Sequence, residues 1–204
     1  MLRLVCGYER DENPELFTEM FRQRRIIFHD QKKWDVKVTS DNLEIDEFDR
    51  DDTVYLCVMG PSGELFGSVR LLSTITDHMA THVFHNMFPG LVIRSPTIWE
   101  ITRFVVFDDQ VIQPNGISRT ACELILGICQ FGLDHGVTQV TSIYESSLHR
   151  VWRRCGVNHI VLGRYLGARP SIFFGLQDID RNLEKNIRLT TGLTTGTEVD
   201  VQAA

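Results

Sequence analysis

The ten residues Ile98–Phe107, read as Ile-Trp-Glu-Ile-Thr-Arg-Phe-Val-Val-Phe, limit most tightly how this chain can fold. β-Branched and aromatic residues dominate them, the composition of a strand buried inside a sheet. Glu100, Thr102 and Arg103 lie within that strand. A carboxylate and a guanidinium taken out of water must each find partners, because unpaired buried charge is among the costliest features a core can hold. Alone, the stretch fits a structural Glu–Arg pair between two layers and a reactive site on a rigid strand equally well. In a regular strand, residues three apart face opposite sides. Glu100 and Arg103 therefore share one site only if the strand bulges or twists between them.

The chain before this strand supplies candidate partners. Asn13-Pro14 is a helix start, and the helix it opens runs to about His29. Phe17, Met20, Phe21 and Phe28 fall in one stripe at 100° per residue. Arg24 lies in the middle of that stripe and needs an anion, whereas Arg22 and Arg25 fall off it, toward solvent. Residues 30–53 show no period, and a connection of that length is functional or disordered. It carries Trp34 and the acidic run Glu44–Asp52, in which Ile45 and Phe48 interleave with the acids as in a packed loop. Asp46 and Asp49 stand three apart, a spacing that aims both carboxylates to one side of a turn. Thr53–Met59 and Glu64–Leu72 form a hairpin about Gly60-Pro-Ser-Gly63. Arg70 interrupts the apolar context of its second strand and is a third core-directed arginine.

The remaining pattern gives the fold class. Leu2–Val5 is a first strand and Asp77–Phe88 a helix carrying His78, His82 and His85. No acidic or cysteine partner completes a ligand set there, so no metal is assigned. After a loop at 108–115, Gly116–Leu133 reads as a helix and Val137–Tyr144 as a strand. Ser146–Cys155 is a helix, Val157–Leu162 and Ser171–Leu176 are strands, and Asp178–Leu189 is a helix. The order predicts a single-domain three-layer α/β/α fold with a mixed central sheet over residues 1–190, and a flexible tail at 191–204. A net charge of −6 argues against a nucleic-acid partner. No apolar run approaches the ~20 residues of a spanning helix, so no membrane insertion is expected, and no leader segment is read at the N-terminus. The five cysteines are scattered without a Cys-x-x-Cys, which fits a reduced, cytoplasmic compartment.

Two resemblances follow from these residues. The loop Gln113-Pro-Asn-Gly116-Ile-Ser118, between a strand and a helix, loosely resembles the pyrophosphate loop of the GCN5-related N-acyltransferases. The wider chain resembles the acyl-homoserine-lactone synthases, the LuxI-type autoinducer synthases. Arg24-x-x-x-Phe28, Trp34, Glu44-Ile-Asp46-Glu-Phe-Asp49, Ser68-Val-Arg70-Leu-Leu, Met79-x-Thr-His-x-Phe84 and Glu100-Ile-Thr-Arg103-Phe carry that resemblance, in order, over roughly residues 1–175. It implies a relative of the N-acyltransferase fold and a quorum-sensing acyltransferase. The amine of S-adenosylmethionine attacks an acyl thioester on acyl carrier protein or coenzyme A. Lactonisation then expels methylthioadenosine. S-Adenosylmethionine is a substrate, and no cofactor is implied.

The resemblance places Glu100 as base with Arg103 beside it, and Arg24, Phe28, Trp34, Asp46, Asp49 and Arg70 at S-adenosylmethionine. Guanidinium groups suit its carboxylate, and aromatic faces its sulfonium or adenine. Phe104, Ile125, Ile128 and Ser142 are candidates for the acyl-chain pocket, with Ser142 able to bond a 3-oxo group. Arg150, Arg153 and Arg154 form a basic cluster suited to an acidic carrier protein. Ser73 departs from the proline common in relatives, and the loop between Trp34 and Asp46 is one residue longer than in some. Two other readings fit less of the chain: an acyl-CoA-dependent N-acyltransferase acting on another amine, and a non-catalytic module that binds acyl carrier protein.

Overall fold

A computed structural model describes residues 1–107 and 111–194, together with the backbone of residues 199–200. In chain order the elements are β1 (Leu2–Cys6), α1 (Pro14–Arg24), β2 (Val54–Met59), β3 (Leu65–Ser73), α2 (Met79–His82), β4 (Ile98–Val106) and α3 (Arg119–His135). There follow β5 (Gln139–Glu145), α4 (Leu148–Arg154), β6 (Ile160–Tyr165), β7 (Ile172–Asp178), α5 (Arg181–Thr191) and β8 (Val199–Asp200). The strands form one mixed sheet in the order β6-β7-β5-β4-β3-β2-β1-β8. β4–β5 and β1–β8 are parallel, and the other pairs are antiparallel.

Strand alternation assigns the two faces. Tyr55 and Cys57 of β2 turn toward α1, where Phe17, Met20 and Phe21 cover them. Leu56 and Val58 turn the other way, against Leu124, Ile125 and Ile128 of α3. Each such side chain, fully buried, contributes roughly 1.5–3 kcal/mol, so two covered faces make a stable three-layer stack.

α1 starts as expected, with Pro14 in its first turn. After Arg24 it widens into a π-helical segment, Arg25–Gln31, which brings Phe28 into the interior. Such widened turns concentrate at functional sites. The helix expected over Asp77–Phe88 is shorter: only Met79–His82 is α-helical. Beyond it, Phe84 N–H donates back to Met79 O, and Phe88 sinks into a separate cluster against Phe174, ring centroids 5.4 Å apart. That anchoring pulls the chain off the helix axis. α3 begins at Arg119 rather than Gly116, capped by Ser118 Oγ, which accepts from Ala121 N–H at 3.2 Å.

Residues 199 and 200, in the stretch read as a tail, pair with β1. Residues 195–198 and 201–204 of that stretch, and 108–110 of the loop after β4, lie outside the described residues. No helix among the described residues is long and apolar enough to cross a membrane.

Candidate active site

β4 is irregular where its charges required it. Arg70 of β3 pairs with Thr102 and Ser68 with Val105, so Arg103 and Phe104 together stand opposite Val69. This is a β-bulge, and Arg103 takes φ +52°, a left-handed conformation that costs a side-chain-bearing residue about 1–3 kcal/mol. The bulge moves Arg103 onto the face that carries Glu100 and Thr102, and it sends Phe104 to the α3 face, where its ring meets Trp152 at 5.6 Å.

On the Glu100 face, three arginines meet three acids. Arg24 Nη1 and Nη2 clamp Asp49 at 2.7 and 2.8 Å, while its Nε donates to Glu44. Arg70 donates to Asp46 Oδ1 and Oδ2 at 2.5 and 3.0 Å, to Asp49 at 2.9 Å, and through Nε to Thr102 Oγ1 at 2.9 Å. Arg103 Nη2 donates to Glu44 and Asp46, each at 2.8 Å. Tyr55 Oη donates to Asp49 at 2.8 Å. Burial alone would raise the Asp49 carboxyl, but Arg24 and Arg70 hold it well below the ordinary carboxylate range. Burial opposes the charge on Arg24 too, and Asp49 and Glu44 more than restore it.

Two residues lie deep in this network. Arg24 is 1 % exposed, and each of its three guanidinium nitrogens donates to a protein carboxylate. Asp49 is equally enclosed, between Arg24, Arg70 and Tyr55. Both build the site wall. Arg103, with its side chain 9 % exposed, is the guanidinium at the edge, and among the described residues its Nη1 meets only the Met79 sulfur, at 3.4 Å.

Glu100 stands apart from the ion pairs. Its Oε2 and Oε1 accept from the backbone N–H groups of Met79 and Ala80, each at 2.8 Å, and it is fully buried. Burial raises its pKa to about 7, although the two amides and the nearby Arg70 and Arg103 act to lower it. A carboxyl poised there takes and returns a proton near neutrality. Met79 ties the parts together: its amide holds Glu100 and its sulfur touches Arg70 and Arg103.

The aromatic residues border this network. Phe28 and Trp34 stack at 5.1 Å and 12°, and the Arg103 guanidinium lies 5.4 Å from the Phe28 centroid. Trp34 is 38 % exposed and has the Lys32 ammonium 5.2 Å from its ring. Lys32 also bonds Glu145, at the end of β5, at 2.6 Å. Arg22 and Arg25 pair locally at the surface, with Glu19 and Asp30.

The acyl-pocket candidates sit on the opposite face. Ile125 and Ile128 are buried in the α3-face core, with Phe104 packed against it. Ser142 is 2 % exposed, and its Oγ has no partner among the described residues. β4–β5 pairing ends at Ile101–Ser142, so the ends of the two strands beyond this point are split apart. Arg150, Arg153 and Arg154 are exposed on α4, and none makes an ion pair among the described residues.

The loop Gln113–Ser118 is a closed turn rather than an open anion cradle. Gly116 N–H donates to Gln113 O and Ile117 N–H to Asn115 Oδ1. Three contributors were not singled out from sequence. Glu44 holds two arginines, Tyr55 holds Asp49, and the α2 amides hold Glu100. Only Glu44 had a signal: three buried arginines require three acids, and the acidic run begins with it.

Comparisons with known proteins point to one family. The family model for autoinducer synthases matches residues 8–187. An acyl-homoserine-lactone synthase of Rhizobium etli is 33% identical over 190 residues, covering 92% of this chain and 89% of its own length. The CoA-dependent acyl-homoserine lactone synthase MesI superposes with a TM-score of 0.84 at 24% identity, over 98% of this chain and 100% of its own. A second CoA-dependent synthase, BjaI, whose structure contains MTA, superposes at 0.82 with 25% identity, over 96% and 90%. An acyl-CoA N-acyltransferase from Pseudomonas aeruginosa shares the fold more distantly, with a TM-score of 0.56 at 17% identity, over 87% of this chain and 98% of its own.

Proposed function

We infer the chemistry of the site from one premise: this chain belongs to the autoinducer synthase family, the acyl-homoserine-lactone synthases. It is an acyltransferase that makes an N-acyl-homoserine lactone. The amine of S-adenosylmethionine attacks an acyl thioester; the amide C–N bond forms, the C–S bond breaks, and the thiol leaves. The substrate's own carboxylate then attacks the carbon next to the sulfonium, closing the lactone and releasing methylthioadenosine. S-Adenosylmethionine is consumed, and the chemistry uses no cofactor.

The observation that carries the role of Glu100 is its isolation. In a face where the other carboxylates of the network are locked onto arginine, Glu100 is held by two backbone amides and by no arginine among the described residues, with its pKa raised to about 7. It is the group able to take the proton that the attacking ammonium must lose. Arg103, at the network's edge, orients the substrate carboxylate. Asp46 and the Phe28–Trp34 stack face the cationic part of S-adenosylmethionine. Arg24, Arg70 and Asp49 keep these groups in place. The thioester enters where β4 and β5 split, and its chain runs past Phe104 to the α3 face, toward Ile125, Ile128 and Ser142. The donor is an acyl thioester of coenzyme A or of acyl carrier protein, and the exposed Arg150, Arg153 and Arg154 suit docking of an acidic carrier protein. The substrates and the five unbridged cysteines support a cytoplasmic setting for the reaction.

The test is methylthioadenosine release by the purified chain from S-adenosylmethionine and a panel of acyl-CoA and acyl-carrier-protein donors. Release that requires both substrates is expected. No release with any donor would overturn the reading.

A further inference from the structure

The α3 face holds polar atoms that nothing among the described residues satisfies. Ser142 Oγ, Trp152 Nε1 and both ring nitrogens of His159 lack hydrogen-bond partners among the described residues. The three residues are only 2 %, 5 % and 9 % exposed. Buried polar groups are nearly always paired, so several orphans in one place call for an outside partner.

They occupy one place. The Trp152 ring lies 5.6 Å from Phe104 and 4.9 Å from His159, and Tyr144 lies 5.4 Å from His159. Ser142 on β5 pairs with Gly175 on β7. A Cβ at Gly175 would fall 2.9 Å from both His159 Cδ2 and Tyr144 Cε1, so the glycine makes the room in which His159 sits. Tyr144 has its own partner, His149 Nδ1 at 3.1 Å. Burial keeps His159 neutral, with its pKa lowered to about 4. A neutral imidazole carries one donor and one acceptor nitrogen, which suits a hydroxyl or a carbonyl oxygen. His159 lies over β7, one strand spacing of ~4.8 Å farther from β4 than Ser142.

We propose that the acyl group this enzyme transfers carries a hydroxyl or keto oxygen well beyond its third carbon, and that His159 and Trp152 Nε1 bind that oxygen. The inference rests on the assignment of the α3-face slot to the acyl chain. It adds a second recognition point, beyond the position within reach of Ser142.

The test compares kcat/KM for methylthioadenosine release across acyl-CoA donors of one chain length: saturated, 3-oxo, and bearing a hydroxyl or a keto group near the far end. One of the two far-end donors should exceed the saturated donor at least ~10-fold, because a site built to hydrogen-bond a group rejects the analogue lacking it. His159→Phe should bring that ratio toward one, and Trp152→Phe, which keeps an aromatic ring while removing the donor, should reduce it. Equal rates with all donors would mean that buried water meets His159, and would overturn the proposal. So would a preference that survives in the folded variants. A preference for the 3-oxo donor alone would assign recognition to Ser142 and also overturn it. Release from no donor would instead defeat the acyl-transfer reading, and this inference with it.

Discussion

The two faces of the sheet around β4 solve the problem of buried polarity in opposite ways. On the Glu100 face, Arg24, Arg70 and Arg103 are matched by Glu44, Asp46 and Asp49, and the network is complete before any ligand arrives. On the α3 face, Ser142, Trp152 and His159 keep atoms with no partner among the described residues inside an apolar core. A closed network fixes geometry: it holds Arg103 in a strained conformation and leaves Glu100 as the group free to exchange a proton. An open set of donors and acceptors awaits a partner. On the proposed reading, the first face does the chemistry and the second selects the acyl group.

The largest effect should come from Glu100→Gln, which keeps the shape and removes the base. Turnover should fall by about 10²–10⁴, while the thermal melt stays cooperative. A variant with near-wild-type turnover would remove the chemical distinction between the faces. Next, Arg24→Met breaks the closed network and leaves Asp49 and Glu44 short of a cation. Removing one partner of a buried ion pair costs about 3–5 kcal/mol, so denaturant unfolding should show a stability loss of that order. A loss below ~1 kcal/mol would show that the network is not structurally closed. The double variant Arg153→Glu/Arg154→Glu, outside both faces, should raise KM for a carrier-protein donor ~10-fold at low salt with a smaller effect at high salt. An equal effect on an acyl-CoA donor would separate the patch from carrier docking.

The smallest expected effect is on stability against pH. Between its ordinary pKa of 4.5 and about 7, Glu100 keeps a proton in the folded chain that the unfolded chain has released. It therefore favours folding in acid, and this contribution is lost as pH rises through about 7. Asp49 acts in the opposite sense: its depressed pKa favours folding above the ordinary carboxylate range, and that support fades as pH falls. Glu100→Gln should flatten the decline in Tm between pH 5 and 8 while leaving the acid-side loss in place. An unchanged profile across pH 5–8 would show that Glu100 titrates as an ordinary carboxylate.

Periodicity explains how far the sequence could be read. Arg24 and Arg70 sit in elements whose period fixes which face a side chain takes, and both are buried as that period required. The demand for irregularity between Glu100 and Arg103 is met by the bulge for the same reason. Loops have no period, so the pairing of Glu44, Asp46 and Asp49 with particular arginines was not legible, nor was the enclosure of Asp49. The shortened α2 was hidden because its apolar spacing looks helical, while Phe84 and Phe88 answer to a tertiary cluster instead. The approach of His159 to Trp152 depends on a strand pairing far along the chain, beyond any local signal.

The central claim, that Glu100 is the base, is tested most directly by the pH dependence of kcat/KM for methylthioadenosine release, measured for the wild type and Glu100→Gln. A rising limb near pH 7 is expected in the wild type and should disappear in the variant along with most of the rate. The same limb in the variant, or a wild-type rate flat from pH 5 to 8, would contradict it.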